Sequence, residues 1–266
     1  MIKVLALRPA DWTGVPCGVT YLSYRSPVDG LEDWALLWPP EPGRTWIVCL
    51  HGGGSHGDQL YVRADLRRDW LPAFRSRGFG ILTPNLRDDA WMSPAAAEDL
   101  RLLLQFLRDE HQAERFVFVT GSMGGTGALI YAVLHPKDVV GVVALCPLTS
   151  IVSLFDWSRQ PPEATRLPRI AARIGAAYEC KPEEMRELYD RHSCLEHADR
   201  LTMPVYLAHG DADDVIPVGE SRALAAAVTS GVLKYHEMPG GGHDAPLVPA
   251  ILQEGLDWVL GGMASR

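Results

Sequence analysis

The chain has 266 residues, a length within the range of a single large α/β domain. Apolar residues make up 47% and charged residues 22%, and 33 acidic against 25 basic side chains give a net charge of −8. No Lys/Arg-rich run is present. The balance therefore argues against nucleic acid and anionic membrane surfaces as partners, because both bind basic patches.

Cysteine usage and hydropathy indicate the compartment. The five cysteines are scattered and form no C-x-x-C pair, and Cys49 and Cys146 lie in apolar runs, where cysteine acts as a small hydrophobe. We therefore expect reduced thiols and a cytoplasmic protein. Residues 1–9 have too short an apolar core for a signal peptide, and no stretch reaches the ~18 apolar residues of a membrane span.

Runs of strand length alternate with helical segments along the chain. The predicted strands are residues 18–26, 33–38, 45–50, 80–84, 116–120, 138–145, 204–209 and 232–238. The predicted helices are residues 59–77 with an interruption near Pro72, 94–110 with Ser93 as N-cap, 128–135, 220–228 and 246–260. After an antiparallel opening, this alternation predicts a mostly parallel sheet with helices on both faces, in which chemistry collects at the carboxyl ends of the strands.

A serine follows the strand at residues 116–120 in a sharp turn toward the next helix. Small neighbours let a strand turn into a helix around a serine, as in the G-x-S-x-G signature. Ser122 has Gly124 two residues after it but Thr120 two residues before it. The alternative interpretation is a glycine-rich turn with an incidental serine. Pyrophosphate binding is a weaker alternative, since the G-x-G-x-x-G register and a P-loop lysine are both missing.

The buried strand at residues 45–50 leads directly into His51 and three glycines, residues 52–54. Glycines at the end of a core strand let backbone N–H groups approach a ligand closely, although a flexible turn would use the same residues. We interpret His51 as an orienting residue rather than a base.

Two further candidates follow later strands. The loop that contains Asp213 and Asp214 comes after residues 204–209, and His243 follows a glycine-rich turn after residues 232–238. A serine hydroxyl needs a base to become a nucleophile, and the base needs an acceptor for its other N–H. The remaining histidines lack convergent partners, and His209 is interpreted as structural. No metal-ligand spacing is present.

The alternation breaks between residues 149 and 191, where helical fragments, prolines and apolar side chains intervene between two core strands. We expect this segment to be a small helical cap inserted over the carboxyl edge of the sheet, within one domain of residues 1–266. Plain surface helices are the alternative.

Four segments together resemble the α/β-hydrolase superfamily, and within it the carboxylesterase and prolyl-oligopeptidase-like esterase branch. They are residues 51–54 (HGGG), 119–125 (VTGSMGG), 208–217 (AHGDADDVIP) and 240–243 (GGGH). The resemblance extends from about residue 45 to the C-terminus, excluding the cap. It implies an α/β-hydrolase fold with a mostly parallel central sheet flanked by helices.

The resemblance also assigns roles. It implies Ser122 as nucleophile, His243 as general base and Asp213 as acid, with Asp214 as the alternative acid. The oxyanion hole would be the backbone N–H groups of Gly53 and Met123, with Gly52 or Gly54 as neighbours.

The implied function is that of a serine hydrolase that cleaves carboxylic esters of small to medium acyl chain, with a small-molecule ester as partner and without cofactor or metal. One alternative is a serine peptidase of the oligopeptidase type, which normally carries a propeller domain for which 266 residues leave no room. The other is a non-catalytic binding protein of the same fold. Activity is expected to fall below about pH 6, as His243 becomes protonated. The oligomeric state does not follow from the sequence.

Overall fold

The computed structural model describes residues 2–41, 43–158 and 167–264. Within them the strands are β1 Lys3–Pro9, β2 Thr20–Arg25, β3 Glu32–Trp38, β4 Thr45–Val48, β5 Gly80–Pro84, β6 Arg115–Gly121, β7 Gly141–Leu145, β8 Val205–Gly210 and β9 Leu233–Met238. The helices are α1 Gln59–Val62, α2 Ala64–Arg75, α3 Pro94–His111, α4 Met123–Leu134, α5 Ile151–Ser158, α6 Leu167–Tyr178, α7 Arg186–Arg191, α8 Gly219–Ala227 and α9 Pro249–Ala264.

The strands form one sheet in the order β1-β2-β3-β5-β4-β6-β7-β8-β9. The pairs β1/β2, β2/β3 and β3/β5 are antiparallel, and every pair from β5/β4 to β8/β9 is parallel. The central strands β4 to β8 are wholly or almost wholly buried, as expected for a parallel sheet covered on both faces. The predicted mostly parallel α/β architecture is confirmed.

Two apolar clusters cover the two faces of this sheet. One contains the buried faces of α3, α4 and α8, and the other those of α2 and α9. Alternate residues of β6 divide between them, since Phe116 and Phe118 belong to the first cluster while Val117 and Val119 belong to the second. This period of two fixes the register of the central strand. The carboxyl ends of β4, β6, β7 and β8 therefore meet at one edge.

One local prediction was wrong. The helix predicted for residues 59–77 is interrupted at Arg63, which has extended backbone (φ −75°, ψ 117°), and Pro72 lies inside α2. Trp70, Leu71 and Phe74 are buried there, and their packing outweighs the one hydrogen bond that a proline removes.

Strand β1 was missed altogether. It lies at the edge of the sheet and is largely exposed, so it has no buried face whose alternation would mark it.

Helices α5, α6 and α7 occupy the connection between β7 and β8, where the sequence predicted a cap over residues 149–191. Part of that range, residues 159–166, lies outside the described residues. Helix α6 contacts the segment that follows β5. The Tyr178 hydroxyl donates a hydrogen bond to the backbone oxygen of Trp91 at 3.2 Å and also lies 3.3 Å from that of Met92. None of the described helices is both long and apolar enough to cross a membrane.

Candidate active site

Ser122 stands between β6 and α4 in a strained conformation, with φ +55° and ψ −126°. Non-glycine residues rarely adopt this region, and such strain collects at functional turns. The turn leaves no room for a side chain two residues after Ser122, since a Cβ on Gly124 would lie 2.3 Å from the backbone oxygen of Leu50. Thr120 lies in β6 and is fully buried. A threonine in place of the first glycine of the signature therefore does not prevent the turn.

The structure brings Ser122 and His243 together although 121 residues separate them. The Ser122 hydroxyl lies 2.9 Å from His243 Nε2, in position to donate a hydrogen bond to it. His243 Nδ1 lies 2.7 Å from Asp213 Oδ2 and donates to that carboxylate. The three side chains thus form a continuous hydrogen-bonded row, with the imidazole oriented at both nitrogens.

Asp213 is held by donors on every side. Its Oδ1 accepts the backbone N–H groups of Val215 and Ile216 at 2.8 and 3.0 Å, and its side chain has no exposed surface. His209 Nε2 donates to Oδ2 at 3.0 Å, while the Ser221 hydroxyl donates to His209 Nδ1 at 2.7 Å. Burial alone would raise the pKa of the Asp213 carboxyl, but the hydrogen bonds from both imidazoles hold it well below its usual range.

His243 experiences the opposite influence. Burial favours the neutral imidazole, but the hydrogen bond to Asp213 and the adjacent Cys146 thiol outweigh it and raise the pKa of His243 above its ordinary value. The imidazolium that forms when His243 takes a proton is therefore stabilised in place.

A close backbone approach brings His243 to this position. A Cβ on Gly210, the last residue of β8, would lie 2.1 Å from the backbone oxygen of Gly241. Only glycine permits that contact. The turn before His243 therefore packs directly on the end of the strand that leads to Asp213.

The three glycines after β4 differ in what their N–H groups do. Gly52 N–H donates to Gln59 Oε1 at 2.8 Å, and Gly54 N–H donates to Asp89 Oδ1 at 2.5 Å. Among the described residues, the N–H groups of Gly53 and Met123 donate to no acceptor. A Cβ on Gly53 would lie 3.9 Å from the Cβ of Met123, so these two free donors are neighbours beside Ser122.

The remaining candidates lie apart from this row. Asp214, the alternative acid, is exposed, and Asp213 is the carboxylate that contacts His243. His51 is buried, and its Nε2 donates to the backbone oxygen of Asn85 at 2.8 Å, which ties the glycine loop to the segment after β5. No three His, Cys, Asp or Glu side chains in the part of the chain that the structure describes are grouped so as to hold a metal ion.

Sequence reasoning missed four side chains at the site: Gln59, Asp89, Cys146 and Arg173. Each lies outside the recognised motifs and reaches the site only through the fold. No local sequence pattern identifies them. The one available signal was that Asp89 lies in a polar loop directly after a buried strand.

Comparisons with known proteins bear on the fold. Residues 45–169 match the α/β hydrolase fold family. A serine hydrolase-like protein of Danio rerio is 29% identical over 124 residues, which cover 46% of this chain and 36% of that protein. The match thus spans about a third of the relative's length.

Solved structures share the fold at low identity. A puromycin-hydrolyzing peptidase of Mycobacterium tuberculosis has a TM-score of 0.69 at 20% identity, over 91% of this chain and 39% of that one. An S-formylglutathione hydrolase from Agrobacterium tumefaciens has a TM-score of 0.68 at 16% identity, over 98% and 99% of the two chains. With the matched segment 45–169 and the strand order described above, these likenesses lead to one conclusion. The chain has the α/β-hydrolase fold.

Proposed function

We propose that this protein is a serine hydrolase that cleaves carboxylic esters of small to medium acyl chain through an acyl-enzyme on Ser122. One observation carries the proposal: the hydrogen-bonded row from Ser122 Oγ through His243 to Asp213, with distances of 2.9 and 2.7 Å. A neutral imidazole so placed is within reach of the hydroxyl proton, and the buried carboxylate fixes its tautomer.

The reaction has two steps. Ser122 Oγ attacks the ester carbonyl while its proton passes to His243 Nε2, and the alcohol then leaves as the imidazolium returns the proton to it. Water then attacks the acyl-enzyme while its proton passes to the same imidazole. As the Oγ–acyl bond breaks, the imidazolium returns this proton to Ser122 Oγ, which frees the carboxylic acid and regenerates the enzyme. Asp213 stays ionised throughout, in keeping with its low pKa.

The oxyanion of each tetrahedral intermediate would accept from Gly53 N–H and Met123 N–H. Both donors are free among the described residues and lie beside the nucleophile. A well-placed donor of this kind contributes about 3–4 kcal/mol to the transition state.

Activity assays decide whether the protein cleaves esters or peptides. An esterase and a peptidase both occur among the solved structures with this fold. We expect turnover of p-nitrophenyl acetate and butyrate that falls at least about 10³-fold in Ser122→Ala at unchanged circular dichroism. Faster cleavage of an aminoacyl p-nitroanilide than of the matched ester would support the peptidase instead. Absence of turnover on both would support a binding protein.

A further inference from the structure

The glycine loop after β4 is held by side chains on both sides of its free donor. Gln59 accepts the N–H of Gly52, and Asp89 accepts the N–H of Gly54. A peptide plane fixed on either side leaves the intervening Gly53 N–H little freedom to rotate. Glycine is the residue with most backbone freedom to lose, so a loop of three glycines needs such anchors to keep one donor aimed.

Asp89 makes the shorter of the two anchors, at 2.5 Å, and has a second partner. Its Oδ2 pairs with Arg173 Nη1 of α6 at 3.0 Å. The guanidinium lies against the loop itself, with Nη1 3.8 Å and 3.7 Å from the points that a Cβ on Gly53 and on Gly54 would occupy. One carboxylate thus joins the glycine loop to a helix of the connection between β7 and β8.

The negative charge on Asp89 lies close to the oxyanion site of the proposed reaction. A carboxylate close to the Gly53 N–H would repel a developing oxyanion, and the ion pair with Arg173 neutralises it. About a third of the Arg173 side chain is exposed, so this neutralisation is partly screened by water.

On the basis of the proposed function, we propose that Asp89 is a positioning residue for the oxyanion hole, and that Arg173 of α6 allows it to act by neutralising its charge. The hydrogen bond of Asp89 is to the backbone of Gly54, whereas Ser122 and His243 bond each other. Asp89 acts through the backbone of Gly54 on the donor at Gly53.

The test compares three variants with the wild type in p-nitrophenyl ester hydrolysis. Asp89→Ala removes the anchor and should lower kcat about 10- to 100-fold with little change in KM, because a misplaced donor weakens only the transition state. Arg173→Met leaves the carboxylate unpaired and should lower kcat about tenfold. Adding Asp89→Asn to Arg173→Met should restore kcat to within about threefold of wild type, because Asn keeps the acceptor for Gly54 N–H and loses the charge.

A matched control is the Arg108–Asp138 pair, with a distance of 2.7 Å and similar exposure. Asp138 precedes β7, at the opposite edge of the sheet, so Asp138→Asn should leave kcat unchanged. A trifluoromethyl ketone, which forms an oxyanionic hemiketal on the serine, should lose affinity across the variants in proportion to kcat/KM.

The outcomes separate this inference from the proposed function. A wild type that hydrolyses esters while Asp89→Ala matches it would overturn the inference alone, as would an Arg173→Met variant that Asp89→Asn fails to restore. A folded wild type without turnover would overturn the proposed function and this inference with it.

Discussion

Asp213 receives two backbone N–H groups and two imidazoles, so its four contacts fix both oxygens. His209, interpreted from sequence as structural, is one of them. Its other nitrogen is held by Ser221, so it supports the carboxylate that in turn orients His243. The acid of the proposed mechanism is thus held in place before any substrate binds.

Substituting each of the two neighbouring aspartates by asparagine separates their roles. Asp213→Asn should lower kcat by about 10³- to 10⁴-fold, since the amide no longer stabilises the imidazolium or its productive tautomer. Asp214→Asn is the matched control, because that side chain is exposed and should leave kcat within about twofold. Steady-state ester hydrolysis measures both, and equal losses would contradict the assignment of Asp213.

The pH dependence follows from the raised pKa of His243. Catalysis needs the neutral base, so kcat/KM should rise with pH to a plateau, with a midpoint above the ordinary histidine value of about 6.5. The fall expected from sequence below about pH 6 thus moves to higher pH.

The stability of the fold changes with pH in the opposite direction to kcat/KM. The imidazolium–carboxylate pair stabilises the fold fully below the unfolded pKa, and this contribution is lost as pH rises through the folded pKa. A pH–rate profile of kcat/KM on a neutral ester tests the catalytic part. A rate that stays flat down to pH 4 would exclude His243 as the base.

The elements at the site are held by contacts between backbones. Helix α4 packs its first turn against the end of β4, at the point where Gly124 meets Leu50. Gly124→Ala should therefore destabilise the protein by about 2–4 kcal/mol, because backbone atoms cannot yield to the new methyl group. Urea unfolding followed by circular dichroism measures the change.

Gly219→Ala is the control for that experiment. Gly219 begins α8, and a Cβ there has no atom within 4 Å. The substitution should be neutral or stabilise the protein by up to about 1 kcal/mol, since alanine favours the helix. A Gly124→Ala variant as stable as Gly219→Ala would show that the turn is looser than described.

Apolar runs separated by turns of small residues were enough to predict most of the strands and helices. The buried strands β4 to β8 each carry such a run, and their order predicts the parallel sheet. The anchors of the glycine loop could not be predicted, because Gln59, Asp89 and Arg173 come from three separate segments. Their proximity depends on tertiary packing that no local pattern encodes.

The described residues form one sheet covered on two faces. Both apolar clusters contain residues of the central strands, so neither can unfold while the other stays intact. If residues 1–266 form one domain, urea transitions followed by far-ultraviolet circular dichroism and by tryptophan fluorescence should coincide. The buried Trp46 and Trp70 belong to different clusters and report on both faces. Separate transitions would contradict the single-domain prediction.

The same sheet explains why distant segments of the chain meet. Parallel strands β4, β6 and β8 deliver the glycine loop, Ser122 and Asp213 to one edge, and the turn after β9 adds His243. We propose that Ser122 is activated as a nucleophile at this edge.

Labelling with a fluorophosphonate probe, followed by peptide mass spectrometry, tests this activation of Ser122. We predict one adduct, on Ser122, which forms at least about 10³-fold more slowly in His243→Ala, because the serine then has no base. Folded protein that stays unlabelled, or an adduct on another residue with Ser122 intact, would contradict this activation.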